Sequence, residues 1–230
     1  LKQIWEKGLL YKGYKVVPYC PRCGTPLSSH EVAQGYKEIK ERSAIAKFKV
    51  KGEDAFILAW TTTPWTLPSN VALCVHPDET YVKVRMKENG EVYYMAEALC
   101  DTVLGEDAYE ILDSCQGKEL EYKEYETLFP YAQVKKKAYY VVCDTYVTLT
   151  EGTGVVHTAP AFGEDDSKVG RKYDLPFVQL VDGKGEMTKE TPWAGVFCKK
   201  ADPLILEDLE KRGLLFAAPK FEHSYPHCWR

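Results

Sequence analysis

Apolar positions in this chain fall in short runs rather than in long helical stripes. Residues 55–60 and 138–148 are rich in Val, Ile, Phe, Tyr and Thr and are bracketed by turn residues, the signature of buried or half-buried strands. Shorter runs of the same character predict strands at 44–50, 71–75, 81–86, 92–96, 154–157 and 177–181. Helical signals are fewer. Over 202–213, Asp202 suits the cap of the first turn, Pro203 the first helical position, Leu204, Leu206 and Leu209 an apolar side, and Gly213 the stop. A second helix is predicted over 164–173. Many strands, few helices, no regular strand-helix alternation and no internal repeat predict an α+β domain on a closed or strongly curved sheet. The expected core is β-barrel-like with a few peripheral helices.

With 230 residues, 45% of them hydrophobic and 13% aromatic, the chain can build one substantial core and a small appendage. No apolar run approaches the roughly 20 residues that span a bilayer, and residues 1–8 lack the apolar centre of a secretion signal. A soluble, cytoplasmic protein is expected. The formal charge of −4, from 30 basic and 34 acidic residues, excludes the footprint of a protein that wraps duplex DNA. The one basic run, Lys135 to Lys137, reads as a solvated turn. A start at Leu1 and an abrupt end at Arg230 suggest a piece of a longer chain.

Of eight cysteines, only Cys20 and Cys23 form a close pair, so free thiols are expected rather than a disulfide framework. The segment from Tyr19 to Leu27 looks like a metal knuckle, a tight turn that brings two thiolates together, and Cys228 near the other end offers a third. The two termini are therefore expected side by side as a small knuckle-like base. A structural zinc site wants four ligands, and His227 or His223 is a candidate for the fourth; a metal-free turn is the alternative.

Trp60-Thr61-Thr62-Thr63-Pro64-Trp65-Thr66-Leu67-Pro68-Ser69-Asn70 packs hydroxyls and two indoles between prolines directly after a predicted strand. Such a peptide makes a stiff wall that offers hydrogen bonds and excludes by shape. A strand end whose threonines satisfy their own backbone while the tryptophans fill the core has the same composition. In the second segment, 151–166, Val155 and His157 share a strand face, and the turn after Pro160 leads into a helix whose first turn carries Glu164, Asp165 and Asp166. Those acids also suit simple pairing with the helix dipole, and His157 a partly buried, hydrogen-bonded imidazole.

Together these segments, with the His223-Ser224-Tyr225-Pro226-His227-Cys228-Trp229-Arg230 exit, closely resemble the connective-peptide editing domain of isoleucyl-tRNA synthetase, a class I synthetase. In the related valyl and leucyl enzymes an arginine follows the paired threonines, whereas Thr63-Pro64-Trp65 is the isoleucyl form. The resemblance spans nearly the whole chain except about 97–137, which matches no motif. It implies an editing core over 41–214 and a base or linker region at 1–40 and 215–230. It implies hydrolysis of valine misattached to isoleucine tRNA, and contacts follow from it residue by residue. Asp166 would anchor the α-ammonium. Thr61, Thr62 and Thr63, with Trp60 and Trp65 behind them, would line the pocket for the side chain and terminal adenosine. His157 would meet the amino-acid side and help reject isoleucine, with Thr158, Ala159 and Pro160 completing the substrate contacts.

By the same resemblance, editing needs no cofactor, any zinc at Cys20, Cys23 and Cys228 is structural, and ATP belongs to the parent enzyme only. The implied partners are the 3′ end of misacylated tRNA with its valine moiety and the rest of the parent synthetase, with no membrane and no DNA. Two other readings stand beside it. A non-catalytic module that binds the tRNA acceptor end is disfavoured by the intact threonine peptide together with Asp166; a zinc-ribbon interaction domain is disfavoured by the long strand-rich middle.

Overall fold

The structure is a computed structural model that describes every residue except Lys12, Tyr14 and Arg230, so the last residue of the exit motif lies outside the described residues. Its strands are β1 (Tyr19–Cys20), β2 (Thr25–Pro26), β3 (Tyr36–Arg42), β4 (Ala44–Lys49), β5 (Phe56–Thr61), β6 (Ala72–Val75) and β7 (Thr80–Met86). They continue as β8 (Val92–Ala96), β9 (Tyr109–Gln116), β10 (Tyr140–Cys143), β11 (Val155–Thr158), β12 (Leu215–Ala217) and β13 (Lys220–Pro226). The helices are α1 (Lys2–Glu6), α2 (Ser29–Ala33), α3 (Cys100–Leu104), α4 (Glu164–Lys172) and α5 (Cys198–Lys211).

Nine strands form one mixed sheet that curls into a half-barrel, as the strand-rich pattern predicts. Its branch point is β5. One edge of β5 pairs antiparallel with β4 along its whole length. The other edge takes β8 at Phe56 and Ile57 and β11 at Trp60, both parallel. β5 thus changes neighbours between Ile57 and Trp60. The threonine peptide leaves β5 there.

β6 and β10 run parallel in register from Ala72↔Tyr140 to Val75↔Cys143, and both are buried throughout. Leu73, Val75, Val141 and Cys143 face the main core, which also holds Ile205, Leu206 and Leu209 of α5. Ala72, Cys74, Tyr140 and Val142 face a second cluster that holds Val169 of α4. Burial on both faces explains why these strands read as continuous apolar runs rather than as alternations. α4 and α5 therefore cover opposite faces of the sheet.

β3 and β13 form a separate antiparallel ribbon, paired from Arg42↔Lys220 to Tyr36↔Pro226. It ends at the Cys20 turn, where Cys23 Sγ lies 3.9 Å from Cys228 Sγ, so the two ends of the chain do lie together. Every cysteine is a free thiol. Among the described residues, no helix is long and apolar enough to cross a membrane.

Three sequence expectations need correction. The run 138–148 keeps strand geometry only over Tyr140–Cys143: Tyr139 has a left-handed φ of 65°, and Asp144 Oδ1 accepts the Tyr146 amide in a local turn. The run 177–181 buries Val178, Leu180 and Val181 but gains only the isolated bridge Val181↔Met187; its alternation comes from packing without a partner strand. Finally, α5 begins at Cys198, so Asp202 and Pro203 stand inside the helix rather than at its start. Gly213 does end it: φ is 68°, with Gly213 N bonded to Glu210 O at 2.9 Å and Leu214 N to Leu209 O at 2.8 Å.

Candidate active site

The threonine peptide folds as the end of β5 followed by a 3-10 helix, Pro64–Ser69, whose two prolines fix the backbone. Its hydroxyls form a chain. Thr61 Oγ1 accepts the Thr63 amide at 3.1 Å and lies 3.4 Å from Thr63 Oγ1, which is 3.1 Å from Thr66 Oγ1. Thr66 Oγ1 donates to Thr63 O at 2.7 Å and lies 2.8 Å from Nε2 of His157 on β11. Since the Thr66 proton is used on Thr63 O, the network assigns the His157 proton to Nε2, leaving Nδ1 as a bare acceptor. Nδ1 is buried without a partner, as are Thr158 Oγ1 and Trp65 Nε1. Burial alone pushes the His157 imidazole down to about 4, so it is neutral at physiological pH.

Asp166, in the first turn of α4, is half-buried and reaches back over the Pro160 turn. Its Oδ2 accepts the Ala159 amide at 2.9 Å and its Oδ1 lies 3.4 Å from the Tyr146 hydroxyl. Burial pushes its carboxyl up to about 6, against the pull of those two hydrogen bonds. Glu164 and Asp165 instead face solvent, where both meet Lys168. The structure thus separates one anchored carboxylate from two exposed ones.

Trp65 and Phe162 join the two segments, their rings edge to face with centroids 5.0 Å apart. Trp60 is half-buried, edge-on to Phe221 of the ribbon at 5.3 Å. Thr62 stands half-buried between Thr61 and Thr63, while Ala159 and Pro160 are buried at the end of β11. The contacts thus bring Thr61, Thr63 and His157 into one network and tie Asp166 to Ala159, whereas Trp60 turns to the ribbon. Thr66 was part of the quoted peptide but carried no assigned role; it is the link to His157. Tyr146 and Asp202, whose side chains meet Asp166 and the Trp65 amide, were given no site role: Tyr146 carried no signal, and Asp202, an acid before proline, was read only as a helix cap.

Two glycines leave room for close packing here. A Cβ on Gly152 would sit 2.8 Å from the Trp60 indole, and one on Gly154 would sit 2.4 Å from Ala96 Cβ, both at φ above 70°. Gly154→Ala is expected to destabilise the fold by about 2–4 kcal/mol, read as a shift in denaturant midpoint at unchanged slope.

An open cleft of about 740 Å³ lies elsewhere, at the C-terminal end of α4, lined by Lys118, Tyr122, Tyr140, Lys172 and Tyr173. None of the predicted site residues lines it. Its lysines are paired internally, Lys118 with Glu121 and Lys172 with Asp144.

At the base, ligand atoms of Cys20, Cys23 and Cys228 lie within 4.8 Å of one another. The Cys23 amide donates to Cys20 Sγ at 3.4 Å, an arrangement that favours a thiolate on Cys20 and pulls its thiol below the usual value. Neither histidine joins this cluster: His227 Nδ1 meets Tyr225 O at 3.0 Å, and His223 Nε2 lies 3.6 Å from Glu41.

The chain is similar to known proteins along its whole length. The chain is 59% identical to the isoleucine-tRNA ligase of Clostridium novyi and 58% identical to that of Clostridium acetobutylicum, in each case over its whole length and 22% of the ligase. It thus spans about a fifth of the length of these relatives. Among solved structures it superposes on GlLeuRS-CP1 with a TM-score of 0.63 at 14% identity, covering 78% of this chain and 99% of that one. It also matches the editing domain of the Plasmodium falciparum cytosolic leucyl-tRNA synthetase with a TM-score of 0.59 at 12% identity, covering 81% and 100%. At those identities the likeness concerns the fold. The description of tRNA synthetases class I (I, L, M and V) matches residues 1–219, and the chain belongs to that family.

Proposed function

We propose that this chain hydrolyses the ester of valine misattached to isoleucine tRNA, with residues 41–214 as the editing core and 1–40 and 215–230 as its base. The observation that carries this reading is that the Thr61-Thr63-Thr66-His157 hydroxyl network ends on β11 two residues before Ala159, whose amide anchors the Asp166 carboxylate.

Each group has a task. Asp166, ionised at neutral pH, binds the α-ammonium of the amino acid and fixes the ester. Thr61, Thr62 and Thr63, backed by Trp60 and Trp65, take the side chain and the terminal adenosine. His157, with Thr158, Ala159 and Pro160 beside it, limits the size of the side chain admitted. A second, smaller pocket is needed because one methylene is worth only about 1–3 kcal/mol, a limit for which isoleucine against valine is the usual illustration.

A positioned water attacks the ester carbonyl, and threonine hydroxyls or backbone amides steady the oxyanion. The Thr66–His157 pair is a poor nucleophile and base: the imidazole lies near 4, and no carboxylate contributes to its shift. No acyl-protein intermediate is therefore expected. The test is to incubate the chain with valyl and isoleucyl esters of isoleucine tRNA and follow amino-acid release. Faster loss of valine supports the reading, and equal decay of both esters sinks it. Rapid-quench capture of a covalent acyl-protein would overturn the water route alone.

The three base thiols fit part of a structural zinc site, with zinc linking the Cys20 turn to Cys228. Zinc would hold the base together and take no part in ester hydrolysis. A chelator is expected to release zinc and lower the melting temperature while leaving hydrolysis by the folded chain intact. Loss of hydrolysis without unfolding would contradict this.

A further inference from the structure

Asp202 is an awkward residue for its position. It stands in the interior of α5, half-buried, directly before Pro203, where both residue types disfavour a helix. A half-buried carboxylate there is itself unfavourable, and burial pushes it up to about 7 despite nearby Lys199, with Glu41 adding to the rise. Such a combination calls for a compensating contact. Asp202 Oδ1 accepts the backbone N–H of Trp65 at 2.8 Å, across 137 residues of sequence.

That N–H belongs to the start of the 3-10 helix Pro64–Ser69, which has no side-chain cap of its own at Thr63. At this start Pro64 has no N–H, and the Thr66 amide is satisfied by Thr63 O at 2.9 Å. The Trp65 amide is the donor left over, and α5 supplies its acceptor from outside the peptide. On one side of Trp65 lies the Thr63 hydroxyl and on the other Thr66, the two links that reach His157. The Trp65 ring itself packs on Phe162, three residues before Asp165 in the turn that leads to Asp166.

We infer that Asp202 is a positioning residue for ester hydrolysis: by holding the Trp65 amide it fixes the threonine hydroxyls against His157. This rests on the function proposed above. What matters is an acceptor oxygen at this point rather than a negative charge, so the amide of asparagine should serve as well as the carboxylate.

The test compares Asp202→Ala, Asp202→Asn and Asp202→Leu with the unaltered chain on the valyl ester of isoleucine tRNA. Asp202→Ala is expected to lower kcat by on the order of 10- to 100-fold with much less change in KM, because a small misplacement of positioning groups slows the step rather than weakening binding. Asp202→Asn should stay within about threefold of the unaltered rate. Asp202→Leu keeps volume and helix propensity while removing the acceptor, so it carries the test should the alanine variant fold poorly. Backbone NMR gives an independent readout: the Trp65 amide should exchange faster with solvent in the alanine and leucine variants and remain protected in the asparagine variant. Wild-type kcat in a folded Asp202→Leu chain, or an asparagine variant as slow as the leucine one, would overturn the inference alone. An unaltered chain that releases no valine would sink the editing reading and this inference with it.

Discussion

Replacing Asp166 with asparagine is expected to lower valyl-ester hydrolysis by on the order of 100- to 1,000-fold while leaving the fold nearly as stable as before. The asparagine oxygen can still accept the Ala159 amide that Asp166 holds at 2.9 Å, so the Pro160 turn keeps its shape. On the proposed reading, what is lost is the charge that would meet the substrate ammonium, a contact about twice as strong as a neutral hydrogen bond. Asp166→Ala should lose both, adding about 1–3 kcal/mol of destabilisation from the unpaired Ala159 amide. Single-turnover release of labelled valine and thermal melts of the two variants separate these effects. An asparagine variant as fast as the unaltered chain would remove Asp166 from the mechanism.

The same carboxylate makes activity and stability respond oppositely to pH. Its folded value, raised to about 6, lies above an unfolded value near 3.9. The stability it contributes is therefore complete below about 3.9 and is lost as pH rises through about 6. The proposed reading uses the ionised form, so the rate should climb as pH rises through about 6. A rate that falls between pH 5 and 7 would contradict the ammonium contact.

His157→Ala is expected to change the selectivity of the site more than its speed. Removing a buried imidazole opens space beside the side chain, and isoleucyl-ester hydrolysis should rise until the preference for valine, roughly 10- to 200-fold for one methylene, largely disappears. The variant also leaves Thr66 Oγ1 without its 2.8 Å partner, at about 1–3 kcal/mol of stability. Parallel release assays on both esters measure the ratio, and an unchanged ratio would mean that another group excludes isoleucine. Since burial depresses the folded imidazole to about 4 from an unfolded value near 6.5, its contribution to stability is present above 6.5 and lost as pH falls through about 4. The alanine variant should lose that acid sensitivity.

Much of the frame was legible because its strands are buried enough to show as apolar runs: β6 and β8 lie within the stretches that the pattern picks out, and β5 and β7 overrun theirs by one residue each, at Thr61 and Thr80. β3 and β9 were not, because most of their side chains are exposed and charged or polar, and pairing with β13 and β7 rather than burial makes them strands. The candidate site was legible as two peptides, since Pro, Thr and Gly at fixed places mark constrained backbone. How they meet was not. The Thr66–His157 contact spans 91 residues and the Trp65–Asp202 contact 137, and no local pattern encodes which side chain closes such a distance. Asp202 was read as a helix cap because an acid before proline usually is one; the helix instead starts at Cys198, four residues earlier.

The ribbon of β3 and β13 has a mechanical meaning. Paired strands run about 4.8 Å apart, so the places where the half-barrel begins and finishes are separated by roughly the width of one backbone. A polypeptide carrying this unit would need to part its own chain by no more than that, and would feel a single stalk instead of two tethers. That stalk is braced on what it carries: Lys199 of α5 holds Glu41 at 2.6 Å and Trp60 packs on Phe221, so a pull on the ribbon is transmitted directly to β5 and α5.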